Sequence, residues 1–151
     1  MIDRFLARFG DVISVIHSKL SNGERYDQWQ KIKTNKAKIV IGARSAIFAP
    51  ISNLGIIIVD EEHDSSYKSD MNPRFNAKEI ARYICKTNNI PLVFGSATPD
   101  VVTFYKTTIG KIELINLTKR ANNSNLPKIQ IVDLRQELAK GNHSMLSEKL
   151  E

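Results

Sequence analysis

Ile2, Phe5, Leu6 and Phe9 stand three and four residues apart, which is one face of a short helix, and Gly10 stops it. The pattern then shifts to short β-prone runs. "DVISVIH" (11–17), "AKIVIG" (37–42), "LGIIIVD" (54–60) and "IPLVFG" (90–95) each read as a buried strand. Between the first two, Ser21 and Glu24 have the spacing of a capping box. They open a predicted helix with Tyr26, Trp29 and Ile32 facing inward, running to about Asn35. Asn76 and Glu79 repeat that signal ahead of an apolar face formed by Ala77, Ile80, Ala81, Ile84 and Cys85. Thr98 is expected to cap a further helix that has Pro99 at its first position and ends at Gly110. "KIELINL" (111–117) and "KIQIVDL" (128–134) are two more strand candidates, separated by the polar, loop-like "TKRANNSNLP" (118–127). After Leu134 the signals weaken, and Gly141-Asn142 marks a break.

Apolar strands alternating with amphipathic helices predict an α/β fold, a mainly parallel sheet with helices on both faces. In such folds ligands gather at the carboxyl ends of the strands. Here four strands end on "HS" (17–18), "GARS" (42–45), "DEEH" (60–63) and "GSAT" (95–98), so these polar clusters are expected along one edge.

Bulk composition narrows the partners without changing the fold. The 151 residues suit one domain with a proper core. A net charge of +6 leans toward an acidic partner, of which nucleic acid is the commonest. The single cysteine, Cys85, excludes an internal disulfide and a four-thiolate zinc site, and fits a reducing cytoplasm. Its place on an apolar helical face reads as an inert buried thiol. No apolar run approaches a membrane span, and Asp3, Arg4 and Arg8 argue against a signal peptide.

The strand-end carboxylates carry the chemistry. Asp60 closes a strand, where rigid backbone can hold a carboxylate for Mg²⁺, and Glu61 beside it can take a proton from an attacking water. A solvated acidic turn is the competing reading. The small hydroxylated "GSATP" on the neighbouring strand could hydrogen-bond those carboxylates and transmit a change in them. The loop 64–76 carries Tyr67, Lys68, Arg74 and Phe75, a mixture of aromatics and cations that can hold single-stranded nucleic acid or simply pack. Its lack of apolar periodicity predicts a mobile segment. His17 and His63 match no zinc spacing, and a hydrogen-bonding role fits His17. Trp29 reads as core, and the lysines at 31, 33, 36 and 38 as a solvated helix end.

"VDEEH" followed about thirty residues later by "GSATP" resembles motifs II and III of superfamily 2 helicases, and specifically the PriA-type replication-restart DNA helicases. "VIHSKLSNGERYDQWQKIK", "IVIGARSAIFAPISNLGIIIVDEEHDSSYKSDMNPRFNAKEIA" and "LPKIQIVDLRQE" with "GNHSMLSEKL" resemble further blocks of that family in order, covering essentially the whole chain. The resemblance implies a partial RecA-like lobe, with 1–117 the later part of motor lobe 1 and 118–151 a linker toward lobe 2. Asp60 would hold the Mg²⁺ of Mg-ATP and Glu61 would activate water. Glu62 and His63, with Ser96, Ala97 and Thr98, would couple nucleotide to unwinding. Arg44 and Ser45 would contact the DNA backbone, where Ala43 replaces the family's threonine, and Tyr67, Lys68, Arg74 and Phe75 would form an aromatic-rich DNA loop. A structural salt bridge is the alternative for Arg44.

The phosphate cradle G-x-x-x-x-G-K-S/T occurs nowhere in these residues. The family carries it upstream, together with a second lobe and a cysteine-rich zinc region that have no counterpart here. The expectation is therefore a piece of an ATP-dependent 3′–5′ helicase that reloads the replication machinery at stalled forks, inactive by itself. Implied partners are single-stranded and forked DNA, single-stranded DNA-binding protein and other primosome proteins, in the cytoplasm and away from membranes. A stand-alone nucleic-acid- or partner-binding module from a decayed helicase gene, and a Mg²⁺-dependent phosphohydrolase, are the alternatives.

Overall fold

Four short strands organise the first part of the molecule. The computed structural model describes residues 2–118 and 128–150, so the expected polar loop at 118–127 lies, past its first residue, outside the described residues. The chain forms two compact units, 1–113 and 114–151.

In the first unit, helix α1 (Ile2–Phe9) leads through a single 3₁₀ turn into strand β1 (Ile13–Ile16). Helix α2 (Asn22–Lys33) follows, then strand β2 (Ile39–Gly42), which pairs in parallel with β1 in the register Ile13 to Ile39. Strand β3 (Ile57–Val59), helix α3 (Ala77–Asn88) and strand β4 (Leu92–Phe94) repeat the unit, and β4 runs parallel to β3 with Val59 opposite Phe94. Helix α4 (Val101–Thr108) completes it. The expected α/β fold with parallel strands is present. The strands are organised as two separate parallel pairs, β1–β2 and β3–β4, where a single sheet was expected.

Each pair has its own small core. Ile13, Ile32 and Ala37 are buried around the first, where α2 packs on β1. Val59, Ala77, Ala81 and Cys85 are buried where α3 lies on β3 and β4. Alternation along a strand puts Ile58 and Val93 on the face away from α3, and both are exposed. Burial pushes the Cys85 thiol above its ordinary range, in keeping with an inert thiol.

Caps decide where the helices begin. Ser21 accepts the Glu24 amide while the Glu24 carboxylate accepts the Ser21 amide at 2.8 Å, so the predicted capping box forms. Asn76 caps α3 by accepting from the Lys78 amide. The cap of α4 is Asp100, not Thr98: its carboxylate accepts from the Val102 amide at 2.8 Å, and Pro99 lies outside the helix. Aspartate competes better for an orphan amide than threonine, and here it stands two residues further on. The Thr98 amide is used instead on Ser96 Oγ, at 3.0 Å.

Neither 111–117 nor 128–134 forms a strand. Residues 113–118 and 128–133 have no regular structure, and Ile115, Leu117, Ile129 and Ile131 are 76–93% exposed. β-branched alternation sets which face a strand would present, but a strand exists only with a partner for its backbone groups, and the described residues supply none. In the second unit helix α5 (Leu134–Ala139) is capped by Asp133, and the Glu137 carboxylate accepts from Asn142 Nδ2 and the Glu148 amide at 3.0 and 3.1 Å. Among the described residues no helix is long and apolar enough to cross a membrane.

Candidate functional site

Two glycines let strand ends approach one another. A Cβ on Gly42 would meet the Ile16 carbonyl oxygen at 2.4 Å and Ala46 Cβ at 2.8 Å, so only glycine allows the turn after β2 to fold back over the end of β1. That turn places Arg44 and Ser45. A Cβ on Gly95 would stand 3.3 Å from Asp60 Oδ1, so the end of β4 lies directly against the acidic end of β3.

The DEEH residues divide sharply in environment. Asp60 is exposed, and its Oδ1 accepts from the Glu61 amide at 3.1 Å. Glu61 has φ +47, a left-handed conformation uncommon outside glycine, and its side chain is 62% exposed. Glu62 is buried, at 1% exposure. Its Oε1 accepts from the Asp100 amide at 2.6 Å, and its Oε2 from Lys78 Nζ at 3.2 Å and Thr103 Oγ1 at 3.3 Å. One carboxylate thereby ties the end of β3 to α3 and to the start of α4. His63 Nδ1 lies 2.8 Å from Ser96 Oγ and 3.6 Å from Glu61 Oε2. The serine of the GSAT segment therefore bonds the histidine rather than a carboxylate. Ala97 and Thr98 are exposed beside it.

Asp60 suits one edge of a Mg²⁺ shell. Magnesium at nucleotide sites keeps several waters and takes one or two carboxylates plus phosphate oxygens, so a cluster of protein ligands is not required. No group of three His, Cys, Asp or Glu side chains converges among the described residues. The glycine opposite Asp60 keeps the space around its carboxylate open.

The loop after the acidic motif is built rather than irregular. Asp64 accepts from the Ser66 amide at 2.7 Å, which holds its carboxyl below the ordinary range and starts a 3₁₀ turn over Ser65–Tyr67. Lys68 pairs with Asn76 as an isolated antiparallel bridge, and the Ser69 amide donates to the Phe75 carbonyl at 2.8 Å. Arg44 Nη1 donates to the Ser66 and Lys68 carbonyls at 3.0 and 2.6 Å. It makes no salt bridge among the described residues; it clamps the loop's backbone. Tyr67 Oη donates to the Asp60 carbonyl at 2.6 Å. Burial, and then the charges of Asp60, Asp64 and Glu61, push the Tyr67 phenol up, so it stays protonated and able to donate. Phe75 meets Phe48 edge-on with ring centroids 5.1 Å apart.

These contacts connect all four strand ends. His17 and Ser18 after β1, Arg44 and Ser45 after β2, and the loop residues Ser66, Tyr67 and Phe75 line one open groove of about 810 Å³. Tyr67 then leads from that groove to Asp60, and His63 leads on to Ser96. Arg74 is exposed and does not line the groove, and Lys68 engages it through its carbonyl's bond to Arg44. Sequence reasoning missed Arg25, Trp29 and Phe48, which also line it. Tyr26 and Trp29 do not face inward: they are 60% and 38% exposed, and only Ile32 of the three is buried. The available signal was the Arg25-Trp29-Lys33 spacing, four residues apart along one helical stripe.

Residues 1–107 match the family model described as DEAD/DEAH box helicase. The chain belongs to that helicase family. Within it, the chain is 48% identical over 150 residues to Replication restart protein PriA of Bacillus subtilis strain 168, covering 99% of this chain and 19% of that protein. It is 42% identical over 158 residues to the protein of the same name from Synechocystis, and 43% over 137 residues to that of Treponema pallidum. Those alignments take in 100% and 91% of this chain, and 19% and 21% of the relatives. The chain thus spans about a fifth of the length of these relatives.

Proposed function

We propose that this chain forms the later part of the first motor lobe of an ATP-dependent 3′–5′ DNA helicase acting in replication restart, with 118–151 leading toward the second lobe. Asp60 holds Mg²⁺ of Mg-ATP and Glu61 orients and deprotonates the attacking water. Bound Mg-ATP would supply the phosphoanhydride and the charge-neutralising cation. Arg44, Ser45, Tyr67 and Phe75 hold single-stranded DNA in the groove, with Lys68 and Arg74 contributing charge around it. Glu62, His63, Ser96, Ala97 and Thr98 relay between the two. Single-stranded DNA-binding protein and other primosome proteins at forked DNA, a cytoplasmic setting, and zinc held outside these residues complete the reading.

One observation carries it. The same loop that lines the groove donates the Tyr67 hydroxyl to the carbonyl of Asp60. A strand that draws the loop toward itself therefore pulls on the peptide that joins the metal anchor to the base. Arg44 sits on the loop's own carbonyls, so a DNA phosphate competes with the loop for that guanidinium.

The test uses the longer helicase carrying this chain. Tyr67→Phe removes one hydrogen bond and Phe75→Ala one aromatic wall. Each is expected to lower DNA-stimulated ATPase by several-fold, the scale of about 1 kcal/mol, while basal ATPase stays within about twofold. Equal losses in stimulated and basal rates would assign the pair to packing alone.

A further inference from the structure

We infer that Trp29 is a base-stacking residue on the α2 wall of this groove, so that single-stranded nucleic acid runs from the aromatic loop onto α2. The inference rests on the groove reading above and extends it to a helix that this reading gives no role.

Packing does not account for Trp29. The core position of α2 is Ile32, at 1% exposure, whereas Trp29 keeps 38% of its surface open and lines the groove. Lys33 Nζ lies 4.8 Å from the centroid of the indole ring. That cation–π contact occupies one face and steadies the ring. Arg25 lines the groove one helical turn before Trp29, and Arg44 lines it from the β2 side. Among the described residues no carboxylate lines this groove. An aromatic surface flanked by cations, with no opposing negative charge, fits alternating bases and phosphates and repels a basic partner. Its volume falls within the range of about 300–1,000 Å³ that accommodates ligands of nucleotide size.

Trp29 is also the chain's single tryptophan, so its emission reports on this position alone. The chain is titrated with a fluorescein-labelled oligothymidylate, following label anisotropy for binding and, in parallel with unlabelled oligomer, indole emission for contact. Indole quenching is expected to share the anisotropy midpoint. Trp29→Ala is expected to weaken binding by about 5- to 150-fold, the range of a lost stacking partner, and Trp29→Phe to restore most of it. Unfolding profiles of both variants check that the fold persists. Binding seen by anisotropy with unchanged indole emission, or full affinity in a folded Trp29→Ala chain, overturns the Trp29 assignment and leaves the groove reading standing. No anisotropy change at any concentration overturns both.

Discussion

Replacing Glu61 by glutamine in a helicase containing this chain lowers ATP turnover by about a hundredfold or more and leaves ATP binding near its original strength. The magnitude is that of losing a general base. Glutamine keeps the size of the side chain and one acceptor oxygen but cannot take a proton. The carboxylate is 62% exposed and its removal strands no buried partner, so the fold should not register the change. The backbone at Glu61 points the same way. A non-glycine residue with φ +47 is strained, and strain of this kind gathers where geometry serves function. Glu61→Gly, which relieves the strain, should therefore stabilise the chain slightly while abolishing the base. Single-turnover hydrolysis alongside nucleotide titration checks both variants. Near-normal turnover in the glutamine variant removes Glu61 from the base role.

Its neighbour behaves in the opposite way. Glu62→Ala should destabilise the chain by about 3–5 kcal/mol, the scale of breaking a buried pair by removing one partner. The loss strands the Asp100 amide and takes the carboxylate from Lys78, whose side chain is only 12% exposed. Lys78 keeps the Glu62 carbonyl at 2.8 Å, which limits the damage on that side. Native domains hold about 5–15 kcal/mol in total, so much of the folded population should disappear. Joint replacement, Glu62→Leu with Lys78→Met, should recover a large part by leaving no charge unmatched. Urea unfolding of the chain measures both variants against the unmodified chain. A loss under about 1 kcal/mol in Glu62→Ala would show that the three-way junction contributes little.

Two acidic residues side by side thus have unlike fates, and only part of that was legible beforehand. The sequence pattern correctly located strands β1 to β4 and the caps at Ser21 and Asn76, because periodicity and capping are local properties. It also brought the polar strand ends together within each parallel pair, while the link between the two pairs comes from the loop, through Arg44 and Tyr67. Burial of Glu62 could not be read, because its partners come from Lys78, Asp100 and Thr103, which lie 16 to 41 residues away. The strands expected at 111–117 and 128–134 failed for the same reason: alternation is local, and a pairing partner is not. Trp29 reads as core from the sequence because the helical stripe it shares with Ile32 is real, but a stripe does not say how far around the helix burial extends. The loop 64–76 lacks apolar periodicity, yet hydrogen bonds from Asp64, Arg44 and Tyr67 organise it, and such bonds leave no periodic trace in a sequence.

Arg44 has a consequence for any affinity measured on this groove. Its Nη1 holds the loop at Ser66 and Lys68 in the free protein, so a phosphate needing that same nitrogen meets a conformation already occupied. Apparent affinity then equals intrinsic affinity multiplied by the fraction of molecules with Arg44 released, and each 1.4 kcal/mol of clamping lowers it about tenfold. A strand binding here works against a latch, and a substitution that loosened the latch would tighten binding without touching the strand at all.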